Sequence, residues 1–229
     1  MNSLIMSTEL AEVNKNLRRL GFNIIETECV EAFLPFERRH ADMQCLRIND
    51  TFFVLKECKT LTETIQKMGY NVIQTVKNAS GKYPYNVLLN AVYIENKLFC
   101  NEKALDNSVK KYCAKNGIDI INIKQGYTKC STAIIGNCFI TSDKGIFDTM
   151  TRSGVEGLLI DSGNIELKGV DYGFIGGCCF SDNKNTYYTG NIKKHPNYIE
   201  IKQFCDSKNI NLVCLAERNL YDIGGFIVI

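Results

Sequence analysis

A thiol becomes a catalyst when its surroundings can hold it as a thiolate next to a proton donor. The segment Gln125-Gly-Tyr-Thr-Lys-Cys-Ser-Thr-Ala-Ile-Ile-Gly136 sets such a residue, Cys130, where a loop becomes an apolar run. Far upstream, Arg38-Arg39-His40-Ala41-Asp42-Met43 crowds catalytic residue types ahead of another apolar run and contains one of the 2 histidines of the chain. A cysteine with an unperturbed pKa of about 8.5 needs a nearby cation or base to react at neutral pH. His40 suits that part. As imidazolium it would stabilise the thiolate, then protonate a leaving amine, then act as base toward the water that resolves a covalent intermediate. Most free cysteines are small buried hydrophobes and most lone histidines are structural, so this pairing needs a fold that brings the two segments together.

The elements around these residues repeat. Met43 to Ile48 and Thr51 to Lys56 flank the turn signal Asn49-Asp50, and are followed by a short helix from Leu61 to Met68 that stops at Gly69 and a strand from Tyr70 to Thr75. The same series is read again. Asn86 to Tyr93 and Lys97 to Cys100 pair around Glu95-Asn96, with a helix from Lys103 to Lys115 and a strand from Ile118 to Ile123. Cys130 to Ile135, Cys138 to Thr141, a short helix near Phe147 to Thr151 and Gly157 to Ile160 make the third copy. Phe174 to Phe180, a turn at Asp182 to Asn185, Thr186 to Thr189, a helix from Asn197 to Ser207 and Ile210 to Leu215 make the fourth.

What remains is split. Asp222-Ile-Gly-Gly-Phe-Ile-Val-Ile229 is a strand without its hairpin partner, while the other end offers a strand at Ser3 to Met6, a helix from Leu10 to Leu20 opened by Ser7 or Thr8 and closed by Gly21, and a strand at Phe22 to Ile25. Four whole units and one shared between the ends suggest a closed ring, which buries each unit's apolar face and removes sheet edges. The expected fold is therefore α/β, a five-bladed α/β propeller of hairpin-helix-strand repeats forming one domain over residues 1–229. An ordinary α/β sandwich is the competing arrangement.

In a ring, the first strand of every hairpin starts near the axis, so the residues leading into those strands converge. They are His40 and Asp42, Tyr85 and Asn86, Lys129 and Cys130, Asp171 and Tyr172, and, in the split unit, Asn219 and Asp222. Asp222 would fix the tautomer of His40. Asp42 and Asp171 would hold a planar cation such as a guanidinium through paired, charge-assisted hydrogen bonds. Asn86 would line the same space, and Arg38 and Arg39, next to it, could bind a substrate carboxylate.

This set of motifs resembles the guanidine-modifying or pentein superfamily, which includes arginine and agmatine deiminases, dimethylarginine hydrolases and amidinotransferases. His40-Ala-Asp42 is similar to its His-x-Asp, Gly126-Tyr-Thr-Lys-Cys130-Ser131 to its approach to the nucleophilic cysteine, and Asp222-Ile-Gly-Gly225 more loosely to its acidic-Gly-Gly strand. Round the ring the cyclic order agrees, while the linear order is shifted as in a circular permutant. The resemblance implies a thiol-dependent hydrolase or transferase of the deiminase, amidinohydrolase or amidinotransferase kind, acting on the C–N bond of a small guanidine or amidine without a cofactor. One departure is clear. Where the family carries a guanidinium-binding aspartate on Phe-x-x-Asp, this chain reads Phe174-Ile-Gly-Gly177, leaving Asp171 as the available substitute. A ribosome-associated initiation factor family resembles the same ring without a nucleophile, so a non-catalytic binding or assembly module is the alternative function.

Composition narrows the partners. The 229 residues are 45% hydrophobic and 23% charged, with a net charge of +2 from 27 basic and 25 acidic residues. That balance argues for a soluble core and against nucleic acid or an anionic membrane surface as partner, leaving a small molecule. The 11 cysteines are odd in number and sit mostly in apolar runs, as Cys178 and Cys179 do, which reads as free buried thiols. With His40 and His195 as the histidines and no Cys-x-x-Cys pair, no metal site is expected, and His195, ahead of Pro196, reads as a surface turn. The absence of a basic and apolar leader at Met1-Asn2-Ser3-Leu4 points to the cytoplasm.

Overall fold

A computed structural model describes residues 3–182 and 184–229. Strand β1 (Ser3–Met6) precedes helix α1 (Ala11–Arg19) and strand β2 (Asn23–Glu26). One turn of helix, α2 (Ala41–Gln44), then leads into the hairpin β3 (Cys45–Ile48) and β4 (Thr51–Val54), helix α3 (Lys59–Lys67) and strand β5 (Asn71–Gln74). The series returns as β6 (Val92–Ile94), β7 (Lys97–Cys100), α4 (Asn107–Asn116) and β8 (Asp119–Asn122). It returns again as β9 (Thr132–Ile135), β10 (Cys138–Thr141), α5 (Lys144–Arg152) and β11 (Gly157–Leu159). The fourth run is β12 (Cys179–Ser181), β13 (Asn185–Tyr188), α6 (Tyr198–Ser207) and β14 (Asn211–Cys214), and β15 (Phe226–Val228) follows it.

These strands form five separate three-stranded sheets of one pattern, in which the middle strand pairs antiparallel with one neighbour and parallel with the other. Leu46 faces Phe53 across the hairpin and Phe53 faces Ile73 across the parallel pair, for example. In the sheet built from both ends, β15 pairs antiparallel with β1 (Leu4 opposite Val228) and β2 pairs parallel with it. The middle strands β1, β4 and β10 are buried along their whole length, because a helix covers one side and the neighbouring unit the other. First strands meet between sheets: β9 lies against β12, β12 against β15 and β15 against β3.

Local chemistry explains the punctuation. The two-residue turn after β6 puts Glu95 and Asn96 at φ 50° and 61°, the mirror-image turn whose twist suits a tight hairpin. The Asp106 side chain accepts the Ser108 N–H (2.8 Å) and Asp143 accepts that of Ile146 (2.8 Å), so α4 starts later and α5 earlier than apolar spacing alone suggests. Neither Ser7 nor Thr8 caps α1; its first residue follows Leu10 without a side-chain cap, and the Thr8 hydroxyl donates to Glu26 instead (2.7 Å). The turn at Asp182 to Asn185 includes Asn183, which lies outside the described residues.

The largest difference from the sequence reading recurs in every unit. The expected strands Met43 to Ile48, Asn86 to Tyr93, Cys130 to Ile135, Phe174 to Phe180 and Asp222 to Ile229 all start late, after a turn or a single helical turn. The reason is where their backbone hydrogen bonds go. Asp42 N–H donates to Gly224 O (2.9 Å), Ile223 and Gly225 N–H both donate to Gly177 O (3.0 Å each), and Ser131 N–H folds back on Tyr127 O (3.0 Å). These groups tie one unit to the next or close a turn, so they cannot join a hairpin ladder. The five lead-in turns are thus the layer in which the chemical side chains sit.

Candidate active site

Cys130 ends the turn ahead of β9 and is 3% exposed. Its sulfur accepts a hydrogen bond from Asn90 Nδ2 (3.0 Å), while Asn90 Oδ1 accepts the N–H groups of Lys129 (2.7 Å) and Cys130 (3.3 Å). Asn90 Nδ2 also reaches the Asp42 carbonyl (3.2 Å). One buried carboxamide therefore joins the cysteine turn to the turn of α2. Burial, with the carboxylates of Asp42 and Asp222 adding to it, pushes the Cys130 thiol well up, so the resting residue is the neutral thiol.

His40 immediately precedes α2, is 4% exposed, and has a buried Nε2 with no hydrogen-bond partner among the described residues. Asp42, one residue further on from Ala41, is fully buried, and neither carboxylate oxygen has a hydrogen bond of ordinary geometry. Burial, with Asp222 adding to it, outweighs the pull of His40, Lys129 and the Cys130 thiol and leaves its pKa raised to about 6. The Cys130 thiol is close enough to bear on the same carboxylate. A Cβ built on Gly225 would lie 3.5 Å from Asp42 Oδ2 and 3.8 Å from Lys129 Nζ, so ammonium and carboxylate share that space.

Asp222 is 1% exposed, and its oxygens accept the backbone N–H of Phe174 (2.9 Å, Oδ2) and of Gly224 (2.8 Å, Oδ1). No hydrogen bond joins it to His40 among the described residues; the contact with the imidazole runs through glycine. A Cβ on Gly224, where φ is +80°, would stand 2.2 Å from His40 Cα, Cβ and Cγ, so only glycine fits against the histidine. The pair Gly176-Gly177 is equally constrained. A Cβ on Gly176 would meet the Lys129 carbonyl at 2.2 Å and that of Thr132 at 2.4 Å, and one on Gly177 would meet Asp222 Oδ1 at 1.9 Å. The carboxylate of Asp222 thus fills the space into which a side chain at position 177 would grow.

The other candidates divide. Asn86 is buried beside the cluster, but its Nδ2 is engaged by the Tyr127 hydroxyl (2.5 Å), which itself donates to Glu37 (3.0 Å), so it serves a network that ties the three lead-in segments together. Arg38 pairs with Glu31 (2.7 Å) and Arg39 with Glu26 (3.3 Å) and the Thr27 carbonyl (3.1 Å), so both guanidinium groups already face carboxylates at part-exposed positions. Asp171 is exposed and lines a different cavity of about 290 Å³ with Glu166, Lys194, His195 and Asn219. His195 is not a surface turn residue: it is 4% exposed, its Nδ1 accepts Asn197 N–H (3.2 Å), and burial lowers its pKa. All 11 cysteines are free.

Asn90 takes part without having been singled out, and Lys129, expected among the converging lead-in residues, was given no role. Asn90 lay within the expected strand from Asn86 to Tyr93, and Lys129 was legible only as the neighbour of Cys130.

The comparisons with known proteins agree on the fold. A dimethylarginine dimethylaminohydrolase adduct with S-methyl-L-thiocitrulline aligns with a TM-score of 0.60 at 13% identity, covering 93% of this chain and 92% of that one. An amidinotransferase from Microseira wollei in the saxitoxin biosynthetic pathway gives a TM-score of 0.56 at 9% identity, covering 93% of this chain and 87% of that one. A cyanobacterial arginine dihydrolase of the ornithine-ammonia cycle also gives 0.56 at 9% identity, but this chain spans only 36% of its length. All are pentein-superfamily proteins, and the chain shares their mixed α/β fold. No curated protein matches at the level of sequence. Residues 5–227 match the family described as "Family of unknown function (DUF6873)", and the chain belongs to it.

Proposed function

We propose that the five sheets surround a common axis as a pentein ring and that the chain is a thiol-dependent hydrolase or transferase acting on the C–N bond of a small guanidine or amidine. The observation that carries this reading is Asp42: a fully buried carboxylate that, among the described residues, has no hydrogen-bond partner of ordinary geometry and only the Cys130 thiol against it, beside an imidazole whose Nε2 is without a partner. A buried charge with so few hydrogen bonds is costly, and a planar cation offering two parallel N–H groups is the ligand that relieves it.

The same ligand would activate the nucleophile. Its positive charge offsets the carboxylates that hold the Cys130 thiol up, so binding favours the thiolate. The thiol proton passes to His40; sulfur bonds to the amidino carbon; the C–N bond breaks as His40 returns the proton to the leaving nitrogen. Water, or an amine in a transferase, then attacks the S-amidino carbon with His40 as base, and the thiol is restored. Asn90 steadies the sulfur, and Asp222 steadies the glycine turn against which His40 rests.

The test is alkylation. Cationic chloroacetamidine should modify Cys130 at least tenfold faster than the other ten thiols, and Asp42→Asn and His40→Ala should each remove most of that selectivity, as read by peptide mass spectrometry. Uniform labelling of the accessible thiols would overturn the proposal. The near-complete enclosure of the cluster is the one feature that favours a non-catalytic module; that reading requires Cys130 to stay inert to both cationic and neutral reagents.

A further inference from the structure

Joined to the buried polar cluster through the Cys130 turn and Asp222 is a group of three aromatic rings that the chemistry does not use. Tyr127 and Phe174 stack with ring centroids 6.1 Å apart and 24° between planes, and Tyr172 meets Phe174 edge-on at 6.4 Å. Tyr127 belongs to the cysteine turn, since Ser131 N–H donates to its carbonyl, and the Phe174 N–H is held by the Asp222 carboxylate. The pair therefore bridges the two sides of the cluster. Both rings are half-buried and Tyr172 is 43% exposed, whereas Cys130, His40, Asp42 and Asp222 are each 4% exposed or less. The Tyr127 hydroxyl is held by Glu37 and Asn86, which fixes the ring in its stack on Phe174.

The arginines that flank His40 in sequence already carry carboxylate partners. Arg38 and Arg39, the cations nearest His40 in sequence, are held by Glu31 and Glu26, and Arg38 Nε also donates to the Phe33 carbonyl (3.3 Å). A substrate carboxylate would compete with Glu31 and Glu26 for these groups. A flat apolar group would displace only water from the rings.

We propose that Phe174, Tyr127 and Tyr172 form a subsite for an aromatic or flat apolar substituent, so that the substrate is a guanidine or amidine carrying such a tail and not a free amino acid like arginine. This rests on Asp42 as the group that binds the cation. The experiment measures protection of Cys130 from chloroacetamidine by methylguanidine, benzylguanidine and arginine. Benzylguanidine should protect at roughly tenfold lower concentration than methylguanidine, and arginine should give no such gain. Phe174→Ala should bring the benzylguanidine-to-methylguanidine ratio close to one. Tyr172→Ala, at an exposed position that folding does not depend on, should cut the ratio two- to threefold. Arginine protecting as well as benzylguanidine, or a ratio that survives both variants, overturns the subsite while leaving the cation site intact. Methylguanidine failing to protect a reactive Cys130, or an inert Cys130, removes the cation site and the subsite with it.

Discussion

Asp42 is ionised at neutral pH against the preference of the fold. Its pKa of about 6 in the folded protein lies above the 3.8 of an ordinary aspartate, so the folded protein takes up this proton before the unfolded chain does. The sign follows: the charge destabilises the fold above pH 6, and the penalty fades as pH falls toward 4. Asp42→Asn should therefore raise stability in urea unfolding at pH 7 by up to about 3 kcal/mol, with little difference near pH 4; an Asn variant that is less stable at pH 7 would mean the carboxylate is better satisfied than it looks. The same titration governs binding. Protection of Cys130 by a guanidinium compound should weaken as pH drops through about 6, because the protonated carboxyl loses the charge that holds the cation, and protection that is flat from pH 8 to 5 would separate Asp42 from binding. At this scale the sequence was readable where residue types are rare: a thiol at a loop-strand junction, a histidine two residues from an aspartate. Asn90 was not readable, because an asparagine inside an apolar run gives no sign that its carboxamide will span from one turn to a sulfur in another.

Helices and hairpins are legible because they follow local rules, and the lead-in turns are not because their hydrogen bonds either run between units or close short irregular turns inside apolar runs. The helix closed by Gly117 in the left-handed conformation and the turn at Asn49 were both written in turn chemistry, whereas the late start of β3 and β15 depends on acceptors far away in sequence, Gly224 O and Gly177 O, and that of β6, β9 and β12 on short turns closed inside apolar runs, such as Ser131 N–H on Tyr127 O. Glycines show the same division. Gly154 and Gly224 both have strongly positive φ, but a Cβ on Gly154 meets nothing within 4 Å while one on Gly224 runs into His40. Gly154→Ala should cost about 1 kcal/mol of backbone strain, and Gly224→Ala several times that, together with loss of selective Cys130 alkylation. Equal costs in thermal unfolding would show that the glycine does not set the position of the imidazole. Asn90→Ala acts on the same layer. It leaves the N–H groups of Lys129 and Cys130 without their acceptor and should destabilise by about 2–3 kcal/mol, with the Cys130 turn losing protection from amide exchange before the rest of the chain.

For the whole molecule, the decisive geometry is the sheet assembled from both ends. Ser3 and Ile229 exchange two backbone hydrogen bonds, Ser3 N–H to Ile229 O (3.2 Å) and Ile229 N–H to Ser3 O (2.8 Å), so β15 and β1 are related as the two strands of every other hairpin are. Only the connecting turn is missing. If the five units are equivalent members of a ring, the position of the chain break is incidental, and moving it should leave packing and site alike. A permutant that joins Ile229 to Ser3 through a short Gly-containing turn and opens the chain between Glu95 and Asn96, a two-residue turn between β6 and β7, conserves every sheet pairing. Its melting temperature should fall by no more than several degrees, the cost of one freed hairpin, and Cys130 should keep its reactivity, because the cysteine, histidine and aspartate turns are joined by Asn90, Gly176 and Gly224 and by nothing in the Glu95 turn. A permutant that folds but loses Cys130 selectivity would show that the site depends on chain order and not on the cyclic order of the units; one that does not fold would show that the β6–β7 hairpin must form as a local unit before the others can close around it.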